Sequence, residues 1–272
     1  YPVNPRERDW VGRGYAYTFY DAFNSDARKL FWQQIDQSLF SKGVDAWWMD
    51  APEPDVTQPS PATLDRQMAD MPGKAAVMNA YPLLNSEAIY DGQRAVSPDQ
   101  RVFILTRSGF AGMQRYAAAS WSGDITSSWS AMRKQIIAGL DYSLSGMPYW
   151  TMDSGGFSVP GKWSTRNPTP ENLDEWRELN ARWFEFAAFV PLLRVHGEAP
   201  FREMWQFGGD DSPAYKAMLQ SDQLRYRLLP YIYSLAGDVT QRNSTFMRPL
   251  VMDFPADKVA AATDDEYLFG PA

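Results

Sequence analysis

Two aspartates stand where a folded chain can put them to chemical use. Asp50 follows an apolar run, Val44 to Met49, and precedes a loop broken by Pro52 and Pro54. Such a run reads as a short buried strand, and a carboxylate at a strand's end is held rigidly while the loop beyond it varies. Taken alone, Asp50 has a lesser rival reading as a turn residue or a cap. The ends of the other strand-like runs add Arg107, Asp124, Asp153 and His196. Paired acids without a metal-ligand cluster and without a Cys or Ser nucleophile motif point to glycoside hydrolysis, where one carboxylate attacks the anomeric carbon and the other protonates the leaving oxygen. In the retaining form the carboxyl groups lie roughly 5 to 5.5 Å apart, which neighbouring strand ends permit. The nucleophile has to stay ionised, which favours a positive neighbour such as Arg107. The acid has to hold its proton, which favours Trp121 and the charge of Asp50 beside Asp124.

Each residue also has a purely structural reading. Asp124 is close enough to Thr126 to serve as a helix N-terminal acid. Arg107 reads as the ion-pair partner of a barrel acid as readily as a sugar ligand. His196, the single histidine, is of a type more often a satisfied core residue, yet its place after the last strand favours the pocket. Asp153 reads as a residue that orients Arg107 or holds the Gly155-Gly156 turn. Glu53 and Asp55, flanked by prolines, read as loop-fixing acids. Trp129, Trp176 and Trp183 recur at helical spacing and read as core.

The elements that must carry these residues alternate. Tyr15–Tyr20 reads as a strand, followed by a helix with Ala27, Leu30, Phe31, Ile35 and Leu39 on one face, Ser25 and Asp26 at its start and Gly43 past its end. The strand to Asp50 follows, then a proline-rich loop to Pro72, a strand over Ala75–Asn79 and a short helix around Leu83–Tyr90. Val102–Thr106 reads as a strand and the next stretch, to Asp124, as a loop rich in small residues. Trp129, Met132, Ile136, Leu140 and Leu144 mark a helix capped by Thr126 or Ser127. Met147–Met152 reads as a strand ending in Asp153-Ser-Gly-Gly156, whose glycines allow a sharp turn or a close approach. Thr169-Pro170-Glu171 opens a helix, Val190–Val195 forms the last strand, and Ser212-Pro213 begins a long helix in which Pro230 should place a kink.

This order implies a parallel sheet with crossover helices. The fold class expected is α/β, a partial (β/α)8 TIM barrel lacking its first strands, over residues 1–245. Residues 246–272, with Met247–Met252 and a terminal strand, read as the truncated start of a C-terminal β domain. About six strands are visible, so the missing pair should precede Tyr1, and the chain reads as a piece of a longer protein cut at both ends. Alone, it should aggregate or fold without cooperativity.

The chain has 272 residues, 44% hydrophobic and 15% aromatic, enough for a sizeable core. A net charge of -7 with both signs interspersed gives no basic stripe for nucleic acid. Eleven Trp and fourteen Tyr offer flat faces on which sugar rings stack. Without cysteine there is neither a disulfide nor a thiolate metal site, and one histidine argues against zinc. No cofactor is called for. No apolar run is long enough to span a bilayer, and no signal peptide is visible. The absence of Cys fits an exported bacterial protein, periplasmic or extracellular, with a cytoplasmic one as the alternative.

Five stretches together carry a resemblance: Trp47-Trp-Met-Asp-Ala-Pro-Glu-Pro-Asp55, Phe103-Ile-Leu-Thr-Arg-Ser-Gly-Phe-Ala-Gly112 with Tyr116, Trp121-Ser-Gly-Asp124, Tyr149-Trp-Thr-Met-Asp-Ser-Gly-Gly-Phe157, and Arg194-Val-His-Gly197. Collinear from about Tyr20 onward, they resemble glycoside hydrolase family 31, and within it the bacterial α-xylosidase-like branch that degrades xyloglucan. The resemblance implies a retaining exo-acting α-glycosidase with Asp50 as nucleophile and Asp124 as general acid/base. It implies that Arg107, Trp121, Asp153, Phe157 and His196 line the pocket for the terminal sugar. Ala51-Pro52-Glu53 departs from the Met-Asn-Glu of many family α-glucosidases and favours the xylosidase-like branch. A xylosyl unit lacks glucose's hydroxymethyl arm, and Trp48 is a candidate wall excluding it. The implied partners are an oligosaccharide and the rest of the same polypeptide, not nucleic acid or a membrane. The rival readings are an α-glucosidase or transglycosylase of the family, a non-catalytic sugar-binding barrel and a metal-dependent barrel hydrolase.

Overall fold

A computed structural model describes residues 19–53 and 75–272, with residues 75–77 as backbone alone. The expected strand over residues 15–20 and the expected loop to residue 72 therefore lie largely outside the described residues, as does Asp55. The chain divides into two compact units, Tyr1–Ala118 and Ala119–Ala272.

In the first unit, helix α1 (Ser25–Ser38) starts where the Asn24 side chain accepts from the Asp26 and Ala27 amides, satisfying donors that a helix start leaves free. Strand β1 is Trp47–Met49 and strand β2 is Ile104–Thr106. They pair in parallel, Trp47 opposite Ile104 and Met49 opposite Thr106. Between them runs helix α2 (Tyr81–Val96). Ala75–Ala80 is a 3-10 helix leading into α2, not the strand expected over Ala75–Asn79. Paired alanines and an asparagine carry little β preference, and the segment feeds directly into a helix with Pro82 in its first turn. Helices α1 and α2 approach closely at Gly92, where a Cβ would meet the Trp32 ring at 2.1 Å. Trp32, Trp47, Ile89 and Ile104 form the core of this unit.

The second unit begins within a strand that sequence reading took for loop. Strand β3 (Ala118–Trp121) is buried along its whole length and lies parallel to β4 (Trp150–Thr151), Ser120 opposite Trp150. A strand covered on both faces shows no alternation, and three small residues give no β signal. Helix α3 (Trp129–Leu144) is capped by Ser128, whose hydroxyl accepts from the Ala131 amide at 3.0 Å, rather than by Thr126 or Ser127. Trp129 at its start is 41% exposed and so is not core, whereas Trp176 and Trp183 are buried.

After a short helix, α4 (Gly161–Ser164), helix α5 (Pro170–Ala187) begins as its sequence demands, with the Thr169 hydroxyl accepting from the Asn172 amide. Its buried residues Trp176, Leu179, Trp183, Phe184 and Ala187 recur at helical spacing. The expected strand over Val190–Val195 is reduced to one parallel bridge, Ser154 with Val195. The carbonyls that would build a ladder are taken elsewhere. Buried Arg225 of helix α6 (Pro213–Arg242) donates to the carbonyls of Ala188, Val190 and Pro191. The Thr151 hydroxyl donates to the Leu192 carbonyl at 2.6 Å, and Pro191 has no amide to offer. Helix α6 runs on through Pro230 and ends at Asn243 in the left-handed conformation. Strands β5 (Met247–Pro249) and β6 (Tyr267–Phe269) pair antiparallel, with helix α7 (Lys258–Ala262) between them. Fully buried Met247 packs into the core that contains Trp183.

Candidate active site

In the first unit the register of β1 against β2 decides what stands beside Asp50. The Arg107 amide donates to the Met49 carbonyl at 3.3 Å, so the residues that follow each strand emerge together. Asp50 is exposed. One of its carboxylate oxygens accepts from the Ala51 amide at 2.8 Å, and Ala51 turns the chain away with φ 46°. Arg107 Nη1 lies 3.3 Å from Asp50 Oδ1, the positive neighbour a nucleophilic carboxylate needs. The closer bond of Arg107 goes to Glu53, Nε donating to Oε1 at 2.7 Å, while the Ser108 hydroxyl donates to the other Glu53 oxygen at 3.4 Å. Glu53 thus fixes the loop, as its prolines indicated, and does so by gripping a proposed sugar ligand. Trp48 is 54% exposed. With Asp50, Tyr20 and Tyr81 it lines a cavity of about 360 Å³.

In the second unit, β3 ends at Trp121, and Gly123, with φ 79°, turns the chain so that Asp124 reaches solvent. The neighbouring Ile125 carbonyl accepts from the Phe157 and Ser158 amides at 2.7 and 3.1 Å, joining this loop to the turn after β4. That turn begins with fully buried Asp153. Its Oδ1 accepts from Arg194, whose guanidinium also lies 5.1 Å from the centre of the Trp121 ring. The arginine oriented by Asp153 is therefore Arg194. Burial pushes the Asp153 carboxyl up to about 6; Arg194 opposes the rise, and the charge of Asp124 adds to it. Gly155 and Gly156, φ 90° and 83°, make the sharp turn the sequence suggested. A Cβ on Gly156 would meet the Ser127 backbone at 2.5 Å. The turn delivers half-buried Phe157, whose ring centre lies 5.6 Å from that of exposed His196.

Within the second unit the structure thus groups Trp121, Asp124, Asp153, Phe157 and His196 around one connected set of turns. Within the first it groups Trp48, Asp50 and Arg107. Sequence reading carries Arg194 only as part of a motif and gives it no role; the structure pairs it with Asp153. Arg202, described below, left no signal. Among the described residues, no group of three or more His, Cys, Asp or Glu could hold a metal, and no helix is long and apolar enough to cross a membrane.

Comparison with known proteins bears on this arrangement. The sequence model of the glycosyl hydrolases family 31 TIM-barrel domain matches residues 3–235. The chain is 42% identical over 256 residues to an alpha-xylosidase of Saccharolobus solfataricus, across 93% of this chain and 33% of that protein. It is 32% identical over 280 residues to an alpha-glucosidase of the same organism, across 92% of this chain and 38% of that protein. The crystal structure of a GH31 alpha-xylosidase from Xanthomonas citri matches with a TM-score of 0.90 at 48% identity, over 98% of this chain and 29% of that one. The chain spans about a third of the length of the curated relatives it matches. Its fold class is the α/β one that the alternating elements implied, a TIM-barrel domain with parallel strands and an antiparallel pair toward the C-terminus.

Proposed function

Since the chain belongs to glycosyl hydrolase family 31, we propose that it carries the catalytic residues of a retaining exo-α-glycosidase that releases terminal α-D-xylose from xyloglucan oligosaccharides. In the first step the Asp50 carboxylate attacks the anomeric carbon while the Asp124 carboxyl gives its proton to the glycosidic oxygen, and the aglycone leaves. In the second, Asp124, now ionised, takes a proton from water, and the resulting nucleophile breaks the bond between Asp50 and the sugar. Anomeric configuration is retained because the carbon is inverted twice. Arg107, 3.3 Å from Asp50, is the countercharge to the carboxylate before attack, and in this reading it also bonds a ring hydroxyl of the sugar. Contacts from Arg107 and His196 tighten as the ring flattens toward the oxocarbenium-like transition state, so they serve rate as well as binding.

The observation that carries this reading is the position of the two acids. Asp50 directly follows β1 and Asp124 follows β3 by three residues, both exposed and each at the exit of a parallel strand. Active-site groups of such barrels occupy that end of the strands. The test is an Asp50→Ala substitution in the full-length protein, which should abolish release of xylose from an aryl α-xyloside. Proton NMR of the wild-type reaction should show the α-anomer as first product; turnover unchanged by the substitution, or a β-anomer, removes the assignment.

A second reading, α-glucosidase or transglycosylase on the same machinery, draws support from the 32% identity to an alpha-glucosidase. The higher identities, 42% and 48%, are to alpha-xylosidases and favour the first. Matched aryl α-xyloside and α-glucoside rates separate the two.

A further inference from the structure

We propose that Arg202 is the positioning residue of the sugar pocket, its guanidinium holding the turns that carry Phe157 and His196 and, through them, the backbone that aims Asp124. The proposal rests on the reading of Asp124 as general acid/base given above.

Arg202 is 4% exposed. Its Nη2 donates to the carbonyls of Gly156 at 2.5 Å and Phe157 at 3.2 Å, and its Nη1 donates to the carbonyl of Glu198 at 2.5 Å. One cation thus joins the turn after β4 to the turn that follows His196. The network continues from there. The Glu198 amide donates to the Phe157 carbonyl at 2.9 Å, the Phe157 amide to the Ile125 carbonyl at 2.7 Å, and the Ser127 amide to the Ser158 carbonyl at 2.9 Å. Ile125 is the next residue after Asp124, so the acid's backbone is the far end of a hydrogen-bonded path that starts at Arg202. The Asp124 side chain reaches solvent, and a shift of that backbone moves the carboxyl with it.

The fit around the guanidinium is close. A Cβ on Gly155 would come within 3.2 Å of Arg202, and one on Gly197 within 2.6 Å. Helix α5 closes another side, the Trp176 ring centre lying 5.4 Å from Arg202 Cζ. Burial lowers the guanidinium to about 10, with Asp153 and Glu198 opposing the fall, so it stays charged at neutral pH. A planar fork of donors spans carbonyls on two turns at once; a compact ammonium keeps the charge but reaches fewer of them.

The experiment uses the full-length protein and two aryl α-xylosides, or α-glucosides should those be the faster substrates. One carries a dinitrophenol that departs without a proton, the other an unactivated phenol that needs one. Arg202→Met should lower kcat/KM on the unactivated glycoside by about 100-fold, a loss typical of a displaced catalytic group, and on the activated one by less than about tenfold. Arg202→Lys should show the same split, reduced in size. Asp124→Ala is the reference and should split the two substrates most. Equal losses on both substrates in the Arg202 variants, with Asp124→Ala still discriminating, overturn the positioning role and leave the proposed function standing. If Asp124→Ala does not discriminate, the acid/base reading fails and the role of Arg202 fails with it. Should the Met variant not fold, the Lys variant carries the comparison; failure of both to fold assigns Arg202 to the fold alone and overturns the proposal.

Discussion

Arg107 stands between two carboxylates, its Nε 2.7 Å from Glu53 and its Nη1 3.3 Å from Asp50. Sequence reading paired it with Asp50 and gave Glu53 only a loop to hold. The structure makes these one arrangement: the loop acid holds the arginine that faces the proposed nucleophile. Glu53→Gln should therefore lower kcat/KM by about tenfold or more, because a displaced guanidinium no longer meets the charge it serves. Stability should change by less than about 1 kcal/mol, since the pair is partly solvated. Kinetics and urea unfolding of the same variant test both halves. A large loss of stability would make Glu53 a structural residue after all.

Asp153 gives a pH prediction. Its folded-state value of about 6 is above the ordinary 3.8 because the carboxyl is buried. Between these values the folded chain keeps a proton that the unfolded chain has released. Its stabilising contribution is full below the ordinary value and is lost as pH rises through about 6. Asp153→Asn removes the titration while keeping the shape. The difference in unfolding free energy between wild type and variant should change across this window with a slope approaching about 1.4 kcal/mol per pH unit. A flat difference would show that Arg194 keeps the carboxyl ionised throughout.

Trp48 is 54% exposed and lines the cavity that Asp50 also lines. As a wall against the hydroxymethyl arm, its loss should narrow the preference for xylosides over glucosides by about 10- to 200-fold, the range one small group is worth in a pocket. Relative kcat/KM of Trp48→Ala on the two aryl glycosides measures this. A preference unchanged from wild type would place the wall elsewhere.

Gly92 tests the core of the first unit. A methyl group there would overlap the Trp32 ring at 2.1 Å, and the ring is buried between two helices. Gly92→Ala should destabilise by about 1–3 kcal/mol despite the better helix propensity of alanine. Thermal unfolding reads the sign directly; a stabilised variant would mean that α1 and α2 separate at little cost.

The long amphipathic helices were legible because packing writes a period into them: on α5 the buried Trp176, Leu179 and Trp183 fall on one face. Its cap was legible as well, Thr169 followed by Pro170 being a local signal. Strands were read less well. β3 has a covered, small-residue sequence without alternation, and Val190–Val195 looks like a strand yet forms one bridge because Arg225 and Thr151 occupy its carbonyls. A hydrogen bond taken by a residue 35 positions away leaves no trace in the run itself.

What the sequence by itself determined is the order of most elements and the delivery of Asp50 beyond the end of β1, since hydrophobic period, capping residues and turn residues act over a few neighbours; the strand that precedes Asp124 emerged only in the fold. What only the tertiary structure decided is who holds whom. Arg107 bonds Glu53 across 54 residues, Arg194 bonds Asp153 across 41, and Arg202 reaches Gly156 across 46. A charged side chain chooses among partners by distance and burial in the folded chain, and neither quantity exists until the strands have paired.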